Sequence, residues 1–174
     1  MIYEPAEDSF LLASVLPTFV KHKSVLDMGS GSGILSVTAL QQGAMSVLSV
    51  DVNPEAVTVC KQQGLAAICS DLFEHVSEKF NVILFNPPYL PLDEDEDEES
   101  TRITSGGKEG HELLERFLQD AGSHLHHDGC ILVLVSSLTP HLEELFTRYH
   151  FTFKVVKEEK IFFETLKVYC LRTS

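Results

Sequence analysis

Basic side chains are scarce in this chain. Its 174 residues hold 13 Lys and Arg against 26 Asp and Glu, a formal net charge of −13. Phosphate-backbone binding rests on basic patches, so this balance weighs against a nucleic-acid partner and towards a protein one, a basic one in particular. Cysteine is sparse too: Cys60, Cys69, Cys130 and Cys170 lie far apart, and none falls in a CxxC. That spacing suggests neither a disulfide framework nor a zinc site. Cys69 and Cys130 sit in apolar, strand-like runs, where a free thiol behaves as a small hydrophobe. The opening MIYEPAEDSF is acidic and lacks the basic and apolar regions of a signal peptide. No apolar run approaches the roughly 20 residues that span a bilayer. No GK[ST] is present, which removes a phosphate-binding P-loop, and no repeat has solenoid length. These absences leave a reduced, soluble protein of the cytoplasm or nucleus. Its 44% hydrophobic content is enough for one sizeable core, and the chain is too short for a second full domain.

What is present is alternation. SVLDM (24–28) reads as a short strand, followed by the glycine-rich GSGSG and a helix-like run over 34–42. SVLSVD (46–51) is a second strand ending in an acid. NPEAVTVCKQQG then reads as a helix, with Asn53 as cap, Pro54 in the first turn and Gly64 as stop. LAAICSD (65–71) and NVILFNPPY (81–89) are the third and fourth strands, a helix is expected over 109–127, and GCILVLVSS (129–137) is the fifth strand. PHLEELFTRYH (140–150) reads as helix, and FTFKVVK and ETLKVYCLRT as two strands close enough to form an antiparallel hairpin. Near-continuous apolar strands alternating with helices predict an α/β fold with a doubly wound, mostly parallel sheet. The whole chain, 1–174, is expected to be one domain, with 1–23 as a lead-in segment. DEDEDEES (93–100) is too charged to pack and is expected to be a solvated loop. HLHHD (124–128) reads as a surface cluster at a helix end, since no acid or cysteine partner stands at metal-site spacing.

Chemistry concentrates at the carboxyl ends of the strands, where open α/β sheets bind ligands. Asp27-Met28-Gly29-Ser30-Gly31-Ser32-Gly33 leaves a strand and opens a helix, so backbone can approach a ligand closely there. It is not a GxGxxG, and a glycine-rich packing turn would look the same. Asp51 ends the second strand, where an acid can accept hydrogen bonds from both ribose hydroxyls of an adenosine-containing ligand; as a solvated acid beside a helix cap it would look no different. Asp71 ends the third strand and could accept from an adenine amine, or serve as an ordinary loop acid. Three strand ends in succession thus each offer an acid on one rim.

The fourth strand ends in Asn86-Pro87-Pro88-Tyr89. Two prolines cannot pair in a ladder and fix the backbone, holding the flanking Asn86 and Tyr89 rigidly; a plain strand-terminating turn is the alternative. A planar –NH2 is a poor nucleophile because its lone pair is delocalised. To attack a methyl sulfonium, its N–H groups must be held by acceptors while the lone pair points along the S–CH3 axis. The Asn86 side-chain carbonyl and the Pro87 main-chain carbonyl can be those acceptors, and Tyr89 can wall in the planar group.

VLDMGSGSG, VDVN, SDLF and FNPPY, in that order, resemble the class I S-adenosylmethionine-dependent methyltransferases over most of the chain. With YEPAEDSFLL at the start, GGKEG (106–110) and FFETLKVYCL (162–171), the chain resembles the HemK family of protein glutamine N5-methyltransferases in its short eukaryotic and archaeal branch. The bacterial branch carries an extra amino-terminal helical domain, and about 23 residues precede the first strand here. The resemblance implies a seven-stranded sheet with a reversed last strand, which accommodates the terminal hairpin. It implies that S-adenosyl-L-methionine is the cofactor. Ser9 and the loop of Gly29, Gly31 and Gly33 would hold its methionine portion, with Asp27 nearby. Asp51 would take the ribose, Asp71 and Leu72 the adenine, and Asn86 would also stand at the cofactor. Asn86, Pro87, Pro88 and Tyr89 would bind the target amide.

The implied substrate is the glutamine of the Gly-Gly-Gln motif in a class I translation termination factor. The implied partner is a small zinc-binding activator, forming a heterodimer along the edge of the third strand (65–71). The zinc would be the partner's. Two departures from the family bear on substrate docking: Thr104-Ser105 stands where the family has Trp-Ala, in a chain without tryptophan, and the acidic tract follows NPPY. Glu7 and Asp8 are read as organising the amino-terminal segment or the cofactor's amine. Two other readings stay open from the residues: methylation of a base amine in DNA or RNA, and a non-catalytic, cofactor-binding partner platform.

Overall fold

The computed structural model describes residues 7–88 and 111–174. Seven strands form one sheet in the order β3-β2-β1-β4-β5-β7-β6. Strands β1 (Ser24–Met28), β2 (Ser46–Asp51), β3 (Ala66–Cys69), β4 (Phe80–Phe85) and β5 (Leu125–Ser136) run parallel. β7 (Glu164–Thr173) is antiparallel to β5, and β6 (Phe151–Ile161) pairs antiparallel with β7 as a hairpin on the edge. The expected seven-stranded, mostly parallel sheet with its terminal antiparallel hairpin is therefore present.

Alternation along the strands sends residues to two covered faces. On one, Leu26, Met28, Ile83, Phe85, Ile131 and Val133 meet α4 (Glu112–Ala121) and α5 (Leu142–Arg148). Phe85 stacks on Phe117 of α4 with ring centroids 4.1 Å apart. On the other, Val25, Val82, Leu84, Leu132 and Val168 meet α1 (Glu7–Phe19) and α2 (Ile34–Gln41). A smaller cluster of Val57, Cys60, Leu65 and Ala67 seats α3 (Pro54–Gln62) beside β3. Asn53 caps α3 as expected, its side chain accepting from the Glu55 N–H at 2.9 Å.

Four expectations need correction. The lead-in segment is a helix from Glu7 onward: Leu11, Leu12, Val15 and Leu16 are buried along one face, while Pro17 in its last turn masks the helical signal. The helix expected over 109–127 ends at Ala121, with one 3-10 turn over Gly122–His124. β5 then begins at Leu125, but its register slips by several residues before regular pairing resumes at Val82↔Cys130, so His126, His127 and Asp128 bulge outward, exposed. The cluster HLHHD thus runs from a helix end into a bulged strand start: His124 closes the 3-10 turn, and His126, His127 and Asp128 are its exposed part. Gly129 is required there, since a Cβ would come within 2.9 Å of the His126 carbonyl. β3 has only four residues, and Cys69 at its end is exposed, its thiol 3.5 Å from the Val52 carbonyl, so it is no buried hydrophobe. Cys130, by contrast, is buried in the core. Tyr89, the acidic tract 93–100, Thr104-Ser105 and GGKEG lie outside the described residues. No described helix is long and apolar enough to cross a membrane.

Candidate active site

The strand order reverses between β1 and β4. β2 and β3 extend to one side and β5 to the other, which opens a crevice at the carboxyl ends of the central pair. Met28 pairs with Phe85, so Gly29 and Asn86 leave the sheet side by side, about 5 Å apart as neighbouring strands are. The glycine loop and NPPY, 57 residues apart by sequence from Gly29 to Asn86, are thereby brought to one place.

The loop turns tightly. Gly29, Gly31 and Gly33 have φ of 69°, 50° and 81°. At Gly33 the need for glycine is twofold: the left-handed backbone, and a Cβ that would stand 3.0 Å from Leu65 Cδ1 and 3.2 Å from Cys60 Sγ. Its N–H donates to the Ser30 carbonyl at 2.7 Å and α2 begins at the next residue.

Three acids stand behind this loop in different states. Asp27 on β1 is fully buried. Its Oδ2 accepts from the Ser36 hydroxyl at 2.6 Å, and the Ser36 and Ser49 hydroxyls are 2.7 Å apart. Its Oδ1 is buried without a hydrogen-bond partner. Burial lifts its pKa from 3.8 to about 6, against the pull of the Ser36 hydrogen bonds and with a small push from the Asp51 charge. Asp51 at the end of β2 is half-buried and braces the loop: Oδ2 accepts from the Gly31 N–H and Oδ1 from the Asn53 N–H, each at 2.8 Å. Asp71 is exposed and engaged in an ion pair, its Oδ2 2.8 Å from Arg116 Nη2. Leu72 follows with a left-handed backbone, φ 49°. A cleft of about 350 Å³ opens between this turn and α4, lined by Asp71, Leu72, Phe73, Glu74, Arg116, Gln119 and Asp120. Of the expected site residues it includes only Asp71 and Leu72, so it lies beside the crevice and is not the crevice itself.

At the end of β4, Pro87 is buried and Asn86 and Pro88 half-buried. The Asn86 amide nitrogen donates to Asp8 Oδ2 at 3.0 Å, and the Asn86 Oδ1 is buried without a hydrogen-bond partner. Ser9, also buried, stands next to Asp8 on α1: its N–H donates to Asp8 Oδ1 at 2.6 Å. The structure thus gathers Asn86, Pro87 and, through Asp8, Ser9 on one side of the crevice, and Asp27, the glycine loop and Asp51 on the other. Asp71 stands apart. Ser36, Ser49 and Arg116 were not legible as site residues. A serine in the first turn of α2, nine residues after a buried acid, was the single available hint of the first. Among the described residues no group of three or more metal-ligating side chains forms.

This fold and crevice define a Rossmann-like α/β methyltransferase. Residues 7–164 match the methyltransferase small domain, and the chain belongs to that family, within its HemK group. Over 152 residues it is 43% identical to a Methanocaldococcus jannaschii protein provisionally named a protein N5-glutamine methyltransferase, covering 83% of this chain and 77% of that one. It is 31% identical to human methyltransferase HEMK2 over 134 residues, 67% of this chain and 63% of the human one. Among solved structures, the E. cuniculi Mtq2-Trm112 complex, responsible for methylation of the eRF1 translation termination factor, superposes with a TM-score of 0.80 at 29% identity, covering 99% of both chains. The Thermus thermophilus 16S rRNA N2 G1207 methyltransferase, at 21% identity and a TM-score of 0.72 over 98% of this chain and 44% of that one, shares the fold.

Proposed function

We propose that this chain transfers a methyl group from S-adenosyl-L-methionine to the side-chain nitrogen of the glutamine in the Gly-Gly-Gln motif of a class I translation termination factor. The observation that carries the reading is the Asn86 Oδ1: a buried acceptor with no partner, at the mouth of the crevice, on a backbone that the two following prolines fix. A buried acceptor left unmade costs about 1–3 kcal/mol, and a ligand N–H recovers that cost. The names of the relatives support the substrate class.

The residues fit the cofactor. Asp27's partnerless oxygen is buried behind the glycine loop, an arrangement suited to a cationic ligand. Gly29, Gly31 and Gly33 leave the backbone open, and Ser9 stands across the crevice for the methionine portion. Asp51, already turned towards the loop, has lone pairs left for ribose hydroxyls. Asp71 and Leu72 are assigned to the adenine, with Arg116 as the competing partner of Asp71. When bound, the cofactor supplies a methyl group on a positively charged sulfur. Asn86 Oδ1 and the Pro87 main-chain carbonyl then hold the two N–H bonds of the target amide, keeping its lone pair free and aimed. Tyr89, beyond the described residues, is assigned to wall the planar group, with Pro88 shaping the turn. Catalysis here is positioning and fixed dipoles, with no strong acid required.

The chain works in this reading as the catalytic subunit of a heterodimer with a small zinc-binding activator, paired along the β3 edge. β3 is an edge strand without a single charged side chain. The cytoplasm, where termination occurs, is the expected compartment. The test is transfer of labelled methyl to a purified termination factor, with and without the activator, beside a Gly-Gly-Gln to Gly-Gly-Ala control. Label on the wild-type factor alone supports reaction, acceptor and residue together. No label with activator present, despite measured cofactor binding, rejects the reading and sends the search to base amines.

A further inference from the structure

An asparagine amide is nearly symmetric in shape, yet its two ends do opposite things. One accepts hydrogen bonds and the other donates them. If Asn86 is to receive a target N–H, its oxygen must face the crevice, because the –NH2 end would oppose donor to donor. Pro87 and Pro88 fix the backbone but leave the amide's final torsion free, which is soft and roughly two-fold. Something else must choose the end.

Asp8 makes that choice possible. Its carboxylate, 5% exposed, is 3.0 Å from Asn86 Nδ2. An ionised carboxylate only accepts, so it takes the nitrogen end and leaves Oδ1 on the other side, buried and partnerless. Asp8 is itself held. It sits in the first turn of α1, where the helix favours a negative charge, and its second oxygen accepts from the Ser9 N–H at 2.6 Å and stands 3.4 Å from the Ser9 hydroxyl. The two residues are 78 apart in sequence and belong to different elements, so their contact is made only by the fold.

We propose that Asp8 is a positioning residue that fixes the amide orientation of Asn86, holding its oxygen towards the target nitrogen. This rests on the reading of Asn86 as the target-amide acceptor, and it gives the amino-terminal helix a role in turnover separate from cofactor binding.

The discriminating variant is Asp8→Asn, which preserves size. Its oxygen stays on the Ser9 N–H, so its –NH2 occupies the place of Oδ2 and faces Asn86. That donor draws the Asn86 oxygen round and turns the wrong end to the crevice. The expected result is a fall in kcat of about 100-fold, the scale of losing one fixed electrostatic contact, with cofactor Kd within about threefold of wild type and an unchanged melting temperature. The double variant Asp8→Asn/Asn86→Asp restores the pair with donor and acceptor exchanged and leaves a carboxylate oxygen facing the crevice. It is expected to exceed both single variants in kcat by about tenfold or more.

A second readout needs no substrate. In the free protein, the Asn86 side-chain –NH2 resonance, assigned by its loss in Asn86→Asp, is expected to shift upfield in Asp8→Asn as its carboxylate acceptor disappears. Wild-type kcat in Asp8→Asn, no rescue by the double variant, or an unmoved –NH2 resonance would each overturn the proposal. A weakened cofactor Kd with kcat preserved would overturn it too, placing Asp8 at the cofactor's amine. Failure of the wild-type protein to label a termination factor would reject the substrate reading and leave the resonance test of the Asp8–Asn86 orientation standing.

Discussion

Asp27→Asn removes one buried negative charge while keeping the shape of the side chain. The wild-type carboxyl has its pKa lifted from 3.8 to about 6, chiefly by burial. A rise of that size corresponds to about 3 kcal/mol between the protonated and ionised forms. The folded-state value is the raised one, so the protonated carboxyl's contribution is full below pH 3.8 and is lost as pH climbs through about 6. At pH 7.5 the free wild-type protein therefore carries a burden of about 3 kcal/mol that the variant lacks. The variant still accepts from Ser36, and its –NH2 stands where the partnerless Oδ1 was, so one unmade hydrogen bond is common to both. Urea unfolding is expected to show the variant more stable by about 2–3 kcal/mol at pH 7.5, with the gap about halved at pH 5 and nearly closed at pH 4. Cofactor binding should run the other way. A cationic ligand stabilises the ionised carboxyl, so affinity in calorimetric titrations should rise with pH up to about 6 and then level off, while the variant stays weak and flat across that range. A stability gap independent of pH, or a wild type more stable than the variant at pH 7.5, would refute the reasoning. It would mean that the charge is already satisfied inside the free protein.

Asp51→Ala takes away the acceptor of both the Gly31 and Asn53 N–H groups, and cofactor affinity is expected to weaken by about 10- to 100-fold in calorimetry, with kcat at saturating cofactor little changed. Asn86→Ala should do the reverse: single-turnover methyl transfer slows by about 100- to 1,000-fold while cofactor affinity stays within a few-fold. Gly33→Ala places a Cβ against Leu65 and Cys60 on a left-handed backbone, and urea unfolding is expected to register a loss of about 1–3 kcal/mol.

Where local chemistry decided the structure, the sequence was readable. SVLDM and SVLSVD became strands with the expected ends, and Asn53, Pro54 and Gly64 bounded their helix, because caps, proline and glycine act within a few residues. The seven-stranded sheet and its terminal hairpin followed from the alternation of elements and from the family resemblance together. α1 escaped because Pro17 looks like a terminator, although Leu11, Leu12, Val15 and Leu16 carry helical spacing. The start of β5 escaped because a bulge absorbs His126, His127 and Asp128, and nothing in their composition announces it. In the crevice, the residues at strand ends were legible, but their partners were not. Asp71 meets Arg116 across 45 residues and Asn86 meets Asp8 across 78, and such pairings exist only once the helices have docked.

The two margins of the sheet are unequal. β6 is eleven residues long, but it exposes Lys154, Lys157, Glu158, Glu159 and Lys160 and breaks register between Val155 and Lys157, which discourages any further strand. β3 is four residues long and bears only Ala66, Ala67, Ile68 and Cys69. A molecule with one receptive margin and one refusing margin has a valence of one. A strand that adds to β3 completes the assembly, where two receptive margins would seed a growing chain of subunits. Under the proposed heterodimer, the same asymmetry would leave β3 open to other copies of this protein whenever subunit outnumbers partner, and balanced supply of the two chains would guard against it.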